Sequence, residues 1–356
     1  MFSGLSSNVI MAKARAMYGR RLKEEDYSAL LKSRTVGEVA AYLKKNSRYA
    51  PELSKINETA VHRGYLEALL RCQLLEDYAS LCRYEITVGE LFSDYIIEKG
   101  EIEQLLTCLR LLCAGRSQEY LLNLPIFFTK YMSFDPYVLA RSKNYGEFLE
   151  GLRNTPYYKI LAPFRSGSQE GLGVDFTAIE NALFTHLYQK VFRIIDKRAR
   201  GSLKRELREL FGSYLDMQNL TRIVRLKRYY KASPDYIRSV LLPFSYRLTD
   251  KVIGQLIQAQ NMEEAHRIID KTIYGRAYRK YDGYTADEIA VRMKFDQCVR
   301  KLRFSTHPSV ALLTYLFLTE IELENITNII EGIRYQLSPK EISRLLVGYG
   351  AAVKGG

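Results

Sequence analysis

Three helical sequence signals recur in the same order along the chain, and this repetition limits the possible folds more than any other feature. The strongest signal is the stretch Glu320–Arg334, with the sequence EIELENITNIIEGIR. Its residues Leu323, Ile326 and Ile330 are spaced three and four apart, so they form one apolar stripe of an α-helix. Asn325 lies at the edge of that stripe, where a buried amide needs a fixed hydrogen-bond partner. The stretch therefore predicts a helix with one buried face and one specific polar contact.

Each signal occurs three times. Weaker copies of the helix run from Gln104 to Arg110 and from Asn219 to Arg225. A second signal, an apolar helix end followed by a short turn and a new helix with an early glutamate, occurs at Leu30–Glu38, Leu139–Glu147 and Leu256–Glu264. A third, a glutamate with apolar residues three and seven positions later, starts at Glu58, Glu180 and Glu288. We therefore predict three similar units, residues 1–117, 118–232 and 233–356.

Almost every segment has helical rather than alternating periodicity, and the helix starts are marked. Capping boxes are expected at Thr177–Glu180 and Thr285–Glu288, and Ser233 and Ser338 each precede a proline suited to the first helical position. The sequence thus predicts an all-α protein built from three similar helical bundles. Such units can stack in a row or close around a pseudo-threefold axis, and the repeats alone allow both. The glycines of residues 167–173 predict an inserted loop in the second unit.

The chain is basic, with 53 lysines and arginines against 40 acidic residues, which gives a net charge of +13. Such a charge favours an anionic partner. The stretch Lys190–Lys231 holds 13 of the basic and 4 of the acidic residues. The stretch is either a solvated helical face or a docking face for an acidic surface. Nucleic acid is the less favoured partner for a docking face, because no recognised binding module is present. The docking candidates are Lys197, Arg198, Arg200, Lys204, Arg205, Arg225, Lys227 and Arg228.

No motif for catalysis, metal binding or nucleotide binding is found. The sequence has no phosphate-binding GxxxxGK[ST] loop, no GxSxG elbow and no paired histidines or cysteines, so we expect no catalytic residue, cofactor or metal. Two of the repeated glutamates, Glu180 and Glu288, are expected to close capping boxes at helix starts, where a carboxylate is structurally useful. Five scattered cysteines and the absence of a signal peptide predict a reduced, cytoplasmic protein. The longest apolar run, Val310–Leu318, is shorter than the roughly 20 residues that a bilayer requires.

The helix from Glu322 to Arg334, the helix from Asp216 to Arg225 and the triplicated layout together resemble the C subunit of the prokaryotic A-type/V-type ATP synthase, whose equivalent in the eukaryotic vacuolar ATPase is the d subunit. The resemblance covers essentially the whole chain. The first copy departs from it, since Gln104 stands where the other copies carry asparagine. The residues that form the structural signature are Asn219, Arg225, Glu322, Asn325, Ile326, Gly332 and Arg334.

This resemblance implies a funnel of three helical units around a central cavity. It implies a non-catalytic rotor subunit, present in one copy, that sits on the cytoplasmic face of the membrane ring, receives the central stalk and transmits torque. No nucleic acid is then expected. If the basic residues are a docking face, charge reversal of Arg198, Lys204 and Arg205 should weaken assembly without unfolding the chain. The alternative from the residues alone is an α-helical adaptor or an RNA-binding protein.

Overall fold

The computed structural model describes residues 2–54, 56–58, 61–82, 89–124, 126–168 and 175–350. Within these ranges the chain forms helices and turns, and no strand occurs there. The prediction of an all-α protein is therefore confirmed. Residues 169–173 of the glycine-rich run lie outside the described ranges, so the inserted loop stays a prediction.

The α-helices are numbered in chain order. The first ten are α1 (Phe2–Gly19), α2 (Glu24–Leu30), α3 (Val36–Asn46), α4 (Ala50–Leu53), α5 (Arg63–Cys82), α6 (Gly89–Cys113), α7 (Ile126–Thr129), α8 (Pro136–Ala140), α9 (Tyr145–Glu150) and α10 (Pro156–Leu161). The others are α11 (Phe176–Arg198), α12 (Gly201–Arg225), α13 (Pro234–Ser239), α14 (Asp250–Gln258), α15 (Met262–Asp270), α16 (Gly275–Lys280), α17 (Ala286–Phe304), α18 (Pro308–Arg334) and α19 (Pro339–Leu345). Short 3₁₀ turns cover Ser117–Asn123 and Ala162–Ser168, and a π-helical turn covers Leu226–Tyr230.

Most of the predicted helix starts are confirmed. Thr285 and Ser338 form capping boxes with the glutamates three residues later, and Ser233 caps α13 with Pro234 in the first turn. The box predicted at Thr177 is wrong. Helix α11 begins at Phe176, two residues earlier than that box predicts, and the carboxylate of Asp175 accepts the hydrogen bond from the backbone N–H of Ala178 at 2.9 Å. A carboxylate suits the positive end of a helix, so Asp175 is the cap and Thr177 lies inside the helix.

The recurring turn-and-helix signal has the same hydrogen bonds at all three positions. In each turn the capping side chain accepts from the backbone N–H of a glutamate three residues later. That glutamate accepts in return from the backbone N–H of the residue before the cap. The cap and glutamate are Thr35 with Glu38, Asn144 with Glu147 and Asn261 with Glu264. The local structure predicted for this signal is therefore confirmed in each copy.

The contacts divide the chain into two compact units. The first contains residues 1–90, 205–210 and 270–356, and the second contains residues 91–204 and 211–269. The first unit is built on α18, which packs against α17, α1 and α5. Residues 309–319 of α18 are all buried, so the longest apolar run of the sequence is the centre of this core. Among the described residues no helix is both long enough and apolar enough to cross a bilayer.

Aromatic side chains form much of the core of the second unit. Phe211 on α12 contacts Phe92 and Tyr95 on α6, with ring centroids 5.8 and 5.4 Å apart. Phe244 lies against Tyr188 on α11, with the centroids 6.3 Å apart. Tyr95 and Tyr188 are therefore buried against aromatic side chains of other segments of this unit. The division into residues 1–117, 118–232 and 233–356 concerns sequence copies and stays a prediction.

Candidate functional site: helix brackets and a basic surface

Glu322, a residue of the predicted signature, is buried near the middle of α18 and holds a segment from the start of the chain. Its carboxylate accepts hydrogen bonds from the backbone N–H of Leu22 at 2.7 Å and from the hydroxyl of Tyr49 at 2.6 Å. The guanidinium of Arg48 lies 3.1 Å away. A buried carboxylate is stable only when its oxygens are paired in this way. Glu322 therefore joins α18 to the segment that precedes α2 and to the one that precedes α4.

Arg48 extends this contact into a buried polar network. Its guanidinium donates to the hydroxyl of Tyr315 at 2.6 Å and contacts the carboxylate of Asp77 at 3.3 Å. The hydroxyl of Tyr315 donates to the same carboxylate at 2.6 Å. Burial, helped by the neighbouring carboxylates, raises the pKa of Tyr49 and of Tyr315 above the ordinary tyrosine value, so both hydroxyls remain donors. The network joins α18, α5 and the segment after α3.

Asn325 lies one helical turn beyond Glu322 and makes the specific contact that its position predicts. Its amide oxygen accepts from the backbone N–H of Val347 at 2.9 Å, and its amide nitrogen donates to the carbonyl of the same residue at 2.9 Å. The nitrogen also donates to the hydroxyl of Tyr27 at 3.1 Å. Residues three apart share a helix face. Glu322 and Asn325 therefore form one bracket, a carboxylate and an amide that hold two different segments.

Helix α12 carries the same bracket. Asn219 pairs with both backbone groups of Leu242 at 2.9 Å. Three residues earlier, the buried carboxylate of Asp216 accepts from the backbone N–H groups of residues 246–248 at 2.6–3.0 Å. Both side chains are buried. The pairing of Asn219 confirms that this copy of the helix signal carries a buried, bonded amide.

Helix α6 carries a carboxylate, Glu101, at the position that Glu322 and Asp216 occupy in the brackets of the other two helices. Glu101 is buried and accepts from the backbone N–H of Ser133 and, at 2.6 Å, from the hydroxyl of Tyr157. Tyr157 lies 13 residues after the cap Asn144, close to the 14 residues that separate Tyr49 from the cap Thr35 in the first copy. Burial and the Glu101 charge raise the pKa of Tyr157 well above the ordinary tyrosine value. Gln104, three residues on, is half-buried at the amide position.

The three carboxylates follow a regular order along the chain. Glu101 holds a segment that begins 32 residues later, and Asp216 holds one that begins 30 residues later. Glu322, the last of the three, holds Leu22, which lies 300 residues earlier. In terms of the predicted units, Glu101 and Asp216 each contact the opening segment of the following unit. Glu322, in the last unit, contacts the opening segment of the first.

Three further signature residues have different environments. Ile326 is fully buried in the apolar stripe of α18. Gly332 lies against α19, where a Cβ atom would be 2.7 Å from Cδ1 of Ile342 and closer still to Cγ1. Arg334 is exposed and pairs with Glu331 at 2.8 Å, and Arg225 is exposed at the end of α12. The signature therefore combines core residues with two surface cations.

The eight basic docking candidates lie at two separate places. Five lie around the junction of α11 and α12: Lys197, Arg198, Arg200 and Arg205 are exposed, and Lys204 is half-buried and pairs with Asp196 at 2.9 Å. Arg225 and Arg228 are exposed at the far end of α12. Lys227 donates to the carbonyl of Ile257 at 2.7 Å, and burial lowers its pKa. The helix between the two places is 25 residues long, which separates them by about 35 Å.

Arg222 is a half-buried cation that the sequence analysis does not single out. Its guanidinium donates to the carbonyl of Val240 at 2.7 Å and to the side chain of Asn181 at 3.0 Å, and lies 3.6 Å from the carboxylate of Glu180. Burial lowers the pKa of Arg222 from its ordinary value. Its spacing of three residues from Asn219 places it on the bracket face of α12. That spacing is the signal that could have identified it.

The repeated glutamates have structural contacts. Glu58 pairs with Lys44 at 2.7 Å, Glu180 lies beside Arg222, and Glu288 closes the capping box of α17. In the described part of the chain, no group of three or more histidine, cysteine, aspartate or glutamate side chains is arranged to hold a metal ion. The buried polar groups of this site join helical segments to one another.

The fold and these contacts define an all-helical protein whose buried carboxylates and amides fasten one helical segment to the next. Comparison with known families is more specific: the chain belongs to the ATP synthase (C/AC39) subunit family, whose model matches residues 10–345. The resemblance inferred from the sequence is thereby confirmed.

Individual relatives agree with this family. The chain is 24% identical over 345 residues to the C subunit of the A-type ATP synthase of Archaeoglobus fulgidus, a match that covers 95% of each chain. It is 23% identical over 342 residues to the protein of the same name from Thermococcus kodakarensis, covering 94% of this chain and 88% of the relative. The corresponding protein of Methanosarcina mazei is 26% identical over 268 residues, which is 74% of this chain and 71% of that protein.

Proposed function

We propose that this chain is a non-catalytic rotor subunit of an A-type/V-type ATP synthase, linking the central stalk to the membrane ring and transmitting torque for ATP-coupled ion transport. Its family is that of an ATP synthase subunit, and relatives named as C subunits of the A-type ATP synthase match it along most of its length. Such a subunit is an accessory part of the complex. One copy would lie peripherally, on the cytoplasmic face of the membrane, between stalk and ring.

The observation that carries the proposal is the order of the three carboxylate contacts. Glu101 and Asp216 each hold the opening segment of the following predicted unit, and Glu322 returns to the opening segment of the first. Three units joined in a row would need two such contacts, whereas three units closed into a ring need three. The third contact therefore favours closure around a pseudo-threefold axis, with a central cavity that can receive the tip of a stalk.

The same contacts give such a ring stiffness. A hydrogen bond to a buried charged group contributes about 1.5–3 kcal/mol, so a bracket with two or three of them opens at a cost of about 3 kcal/mol or more. Since every 1.4 kcal/mol changes a population tenfold, the open form would be populated at about one part in a hundred or less. A subunit that transmits torque requires this rigidity, because a bracket that opened under load would absorb the torque instead of passing it on.

The exposed cations at the junction of α11 and α12 are the proposed docking face for an acidic surface of the stalk or the ring. Arg198 and Arg205 are the sharpest test, because both are exposed and neither has an ion pair with another described residue. Lys204 already pairs with Asp196, so its reversal would also disturb that contact. A matched control is the charge reversal of Arg141 and Lys143, two exposed cations elsewhere on the surface.

The test is purification of the affinity-tagged chain from native membranes. We expect it to co-purify with rotor subunits and to be released from membranes by washing without detergent. Arg198→Glu with Arg205→Glu should reduce the recovered complex at least threefold with unchanged thermal unfolding, while Arg141→Glu with Lys143→Glu should not. Recovery of nucleic acid with a steep salt dependence, in place of rotor subunits, would contradict the proposal.

A further inference from the structure

The end of α12 contains one more residue in its closing turn than the ends of α6 and α18. Each of these helices ends at a residue with a left-handed backbone, after which the next N–H bonds back to a helix carbonyl. In α6 and α18 the bond spans five residues, from Arg116 to Leu111 at 2.8 Å and from Leu337 to Gly332 at 2.9 Å. In α12 it spans six, from Ala232 to Leu226 at 3.2 Å. The additional residue is accommodated by the π-helical turn Leu226–Tyr230.

This extra residue changes which side chains are exposed at the helix end. One inserted residue rotates everything after it by about 100° around the helix axis. Tyr229 and Tyr230 are consecutive and yet 63% and 70% exposed, and neither is covered by the α13 segment that follows. Lys231 holds the left-handed conformation at φ 46°, which is costly for a residue other than glycine. Gln336 after α18 is also left-handed, at φ 56°, so the π-helical turn and the two adjacent exposed rings are what distinguish the end of α12.

The turn is anchored on one side and free on the other. Lys227 bonds to the carbonyl of Ile257 in the last turn of α14, a position that a lysine stabilises through the helix dipole. Arg225, Arg228 and Lys231 are exposed and make no ion pair with another described residue. The Arg228 guanidinium lies 5.5 Å from the centre of the Tyr229 ring. We call the exposed set, Arg225, Arg228, Tyr229, Tyr230 and Lys231, the π-turn tip.

We infer that the π-turn tip is an interaction surface that receives an acidic segment of a partner subunit in the complex, an inference that rests on the proposed function. Tyrosine and arginine are the residues most enriched at the energetic centres of protein interfaces. Exposed guanidinium groups bind carboxylates in a bidentate manner, and the tyrosine rings supply contact area at little entropic cost. A tip that enters a bilayer would present tryptophan, phenylalanine or leucine, so a protein partner fits better than a lipid surface.

A cross-linking experiment identifies the partner directly. The photoreactive residue p-benzoylphenylalanine replaces Tyr230 and, as a matched control, Tyr335, which is also 70% exposed and follows the end of α18. The full chain carrying either residue is assembled into native membranes and irradiated. Cross-links from position 230 should fall in a peptide of another subunit with net negative charge, at least fivefold more often than those from position 335. Cross-links to lipid, to a neutral or basic peptide, or equally from both positions would overturn the inference.

Charge reversal provides an independent arm. Arg225→Glu with Arg228→Glu should weaken association with the rotor subunits at least tenfold and flatten its salt dependence, with thermal unfolding unchanged because both side chains are exposed. Arg334→Glu at the end of α18 is the control and should have little effect. If the unaltered chain does not associate with rotor subunits, the proposed function fails. If it does and the tip variant associates as tightly, the tip assignment alone fails.

Discussion

At the scale of single residues, the bracket amides show how a sequence position specifies one partner. Asn219 and Asn325 each satisfy both backbone groups of one residue, because the amide side chain carries an acceptor and a donor side by side. Asn325 could be expected to need such a partner from its place beside an apolar stripe. The identity of the partner, Val347, could not be predicted, because it depends on how the chain after α19 returns to α18.

Removing this amide should be costly. Asn325→Ala leaves the N–H and carbonyl of Val347 buried without partners, which should lower the free energy of unfolding by roughly 2–4 kcal/mol. Urea denaturation measures the loss. Asn328→Ala, a half-buried amide on the same helix, is the control and should change stability by less than about 0.5 kcal/mol. Equal effects of the two substitutions would show that the Val347 contact contributes nothing specific.

The buried cysteines allow a test of the core. Burial raises the pKa of Cys298 to about 12, so at pH 8 its thiolate fraction is about a thousandth of that of an unperturbed cysteine. Iodoacetamide should therefore label half-buried Cys72 long before Cys298 in the native protein. The raised pKa also means that the stability due to the neutral thiol is present below pH 9 and is lost as the pH rises towards 12. Mass spectrometry of labelled peptides at pH 8 would detect rapid modification of Cys298, which would be inconsistent with this burial.

At the scale of helices, local signals proved more informative than surface charge. The turn-and-helix signal predicted a short turn and a new helix at three positions, and all three are observed, because such turns depend only on residues a few positions apart. The Thr177 box failed because a better cap, Asp175, stands two residues earlier. The basic stretch was treated as one cluster, but the unbroken helix α12 separates its two ends. Arg48 and Asp77 were missed because nothing near them in sequence shows which charges are buried.

The contact between α18 and α19 gives a test at this scale. Gly332→Ala would normally favour a helix, but the added Cβ overlaps Ile342, so we expect a loss of about 1–3 kcal/mol. Ile342→Ala removes the overlapping atoms, and the double variant should be more stable than the sum of the two single changes predicts. Gly254→Ala in α14, where the nearest neighbouring atom is 3.8 Å away, should instead stabilise by about 0.5–1 kcal/mol. Additive effects of Gly332→Ala and Ile342→Ala would rule out the proposed overlap.

At the scale of the whole molecule, the three carboxylates are not equivalent. Glu101 and Asp216 hold segments about 30 residues away, whereas the Glu322 contact spans 300 residues. Arg48 and a second carboxylate, that of Asp77, are added to the Glu322 contact. Closing the longer loop costs roughly 2 kcal/mol more in chain entropy, by the logarithmic dependence on loop length. The extra polar groups around Arg48 offset that cost. The family resemblance implies a closed arrangement, and the order of these contacts is what the sequence alone did not reveal.

This difference predicts which contact governs opening. Glu322→Gln removes the charge that Arg48, Tyr49 and Leu22 share, so amide hydrogen exchange around Leu22 and α2 should accelerate at least tenfold. Glu101→Gln should accelerate exchange near its own partners, Ser133 and Tyr157, and leave Leu22 unchanged. Exchange measured by mass spectrometry separates the two segments. Unchanged protection at Leu22 in the Glu322 variant would mean that this carboxylate does not hold the start of the chain.

The most direct test of the account is an electron cryomicroscopy map of the ATP synthase purified through a tag on this chain. We expect the chain between the central stalk and the membrane ring, as three helical bundles around a central opening, with Leu22 beside Glu322. A map with the bundles side by side in a line, or with the chain on the outer, stationary part of the complex, would contradict both the closure and the coupling role.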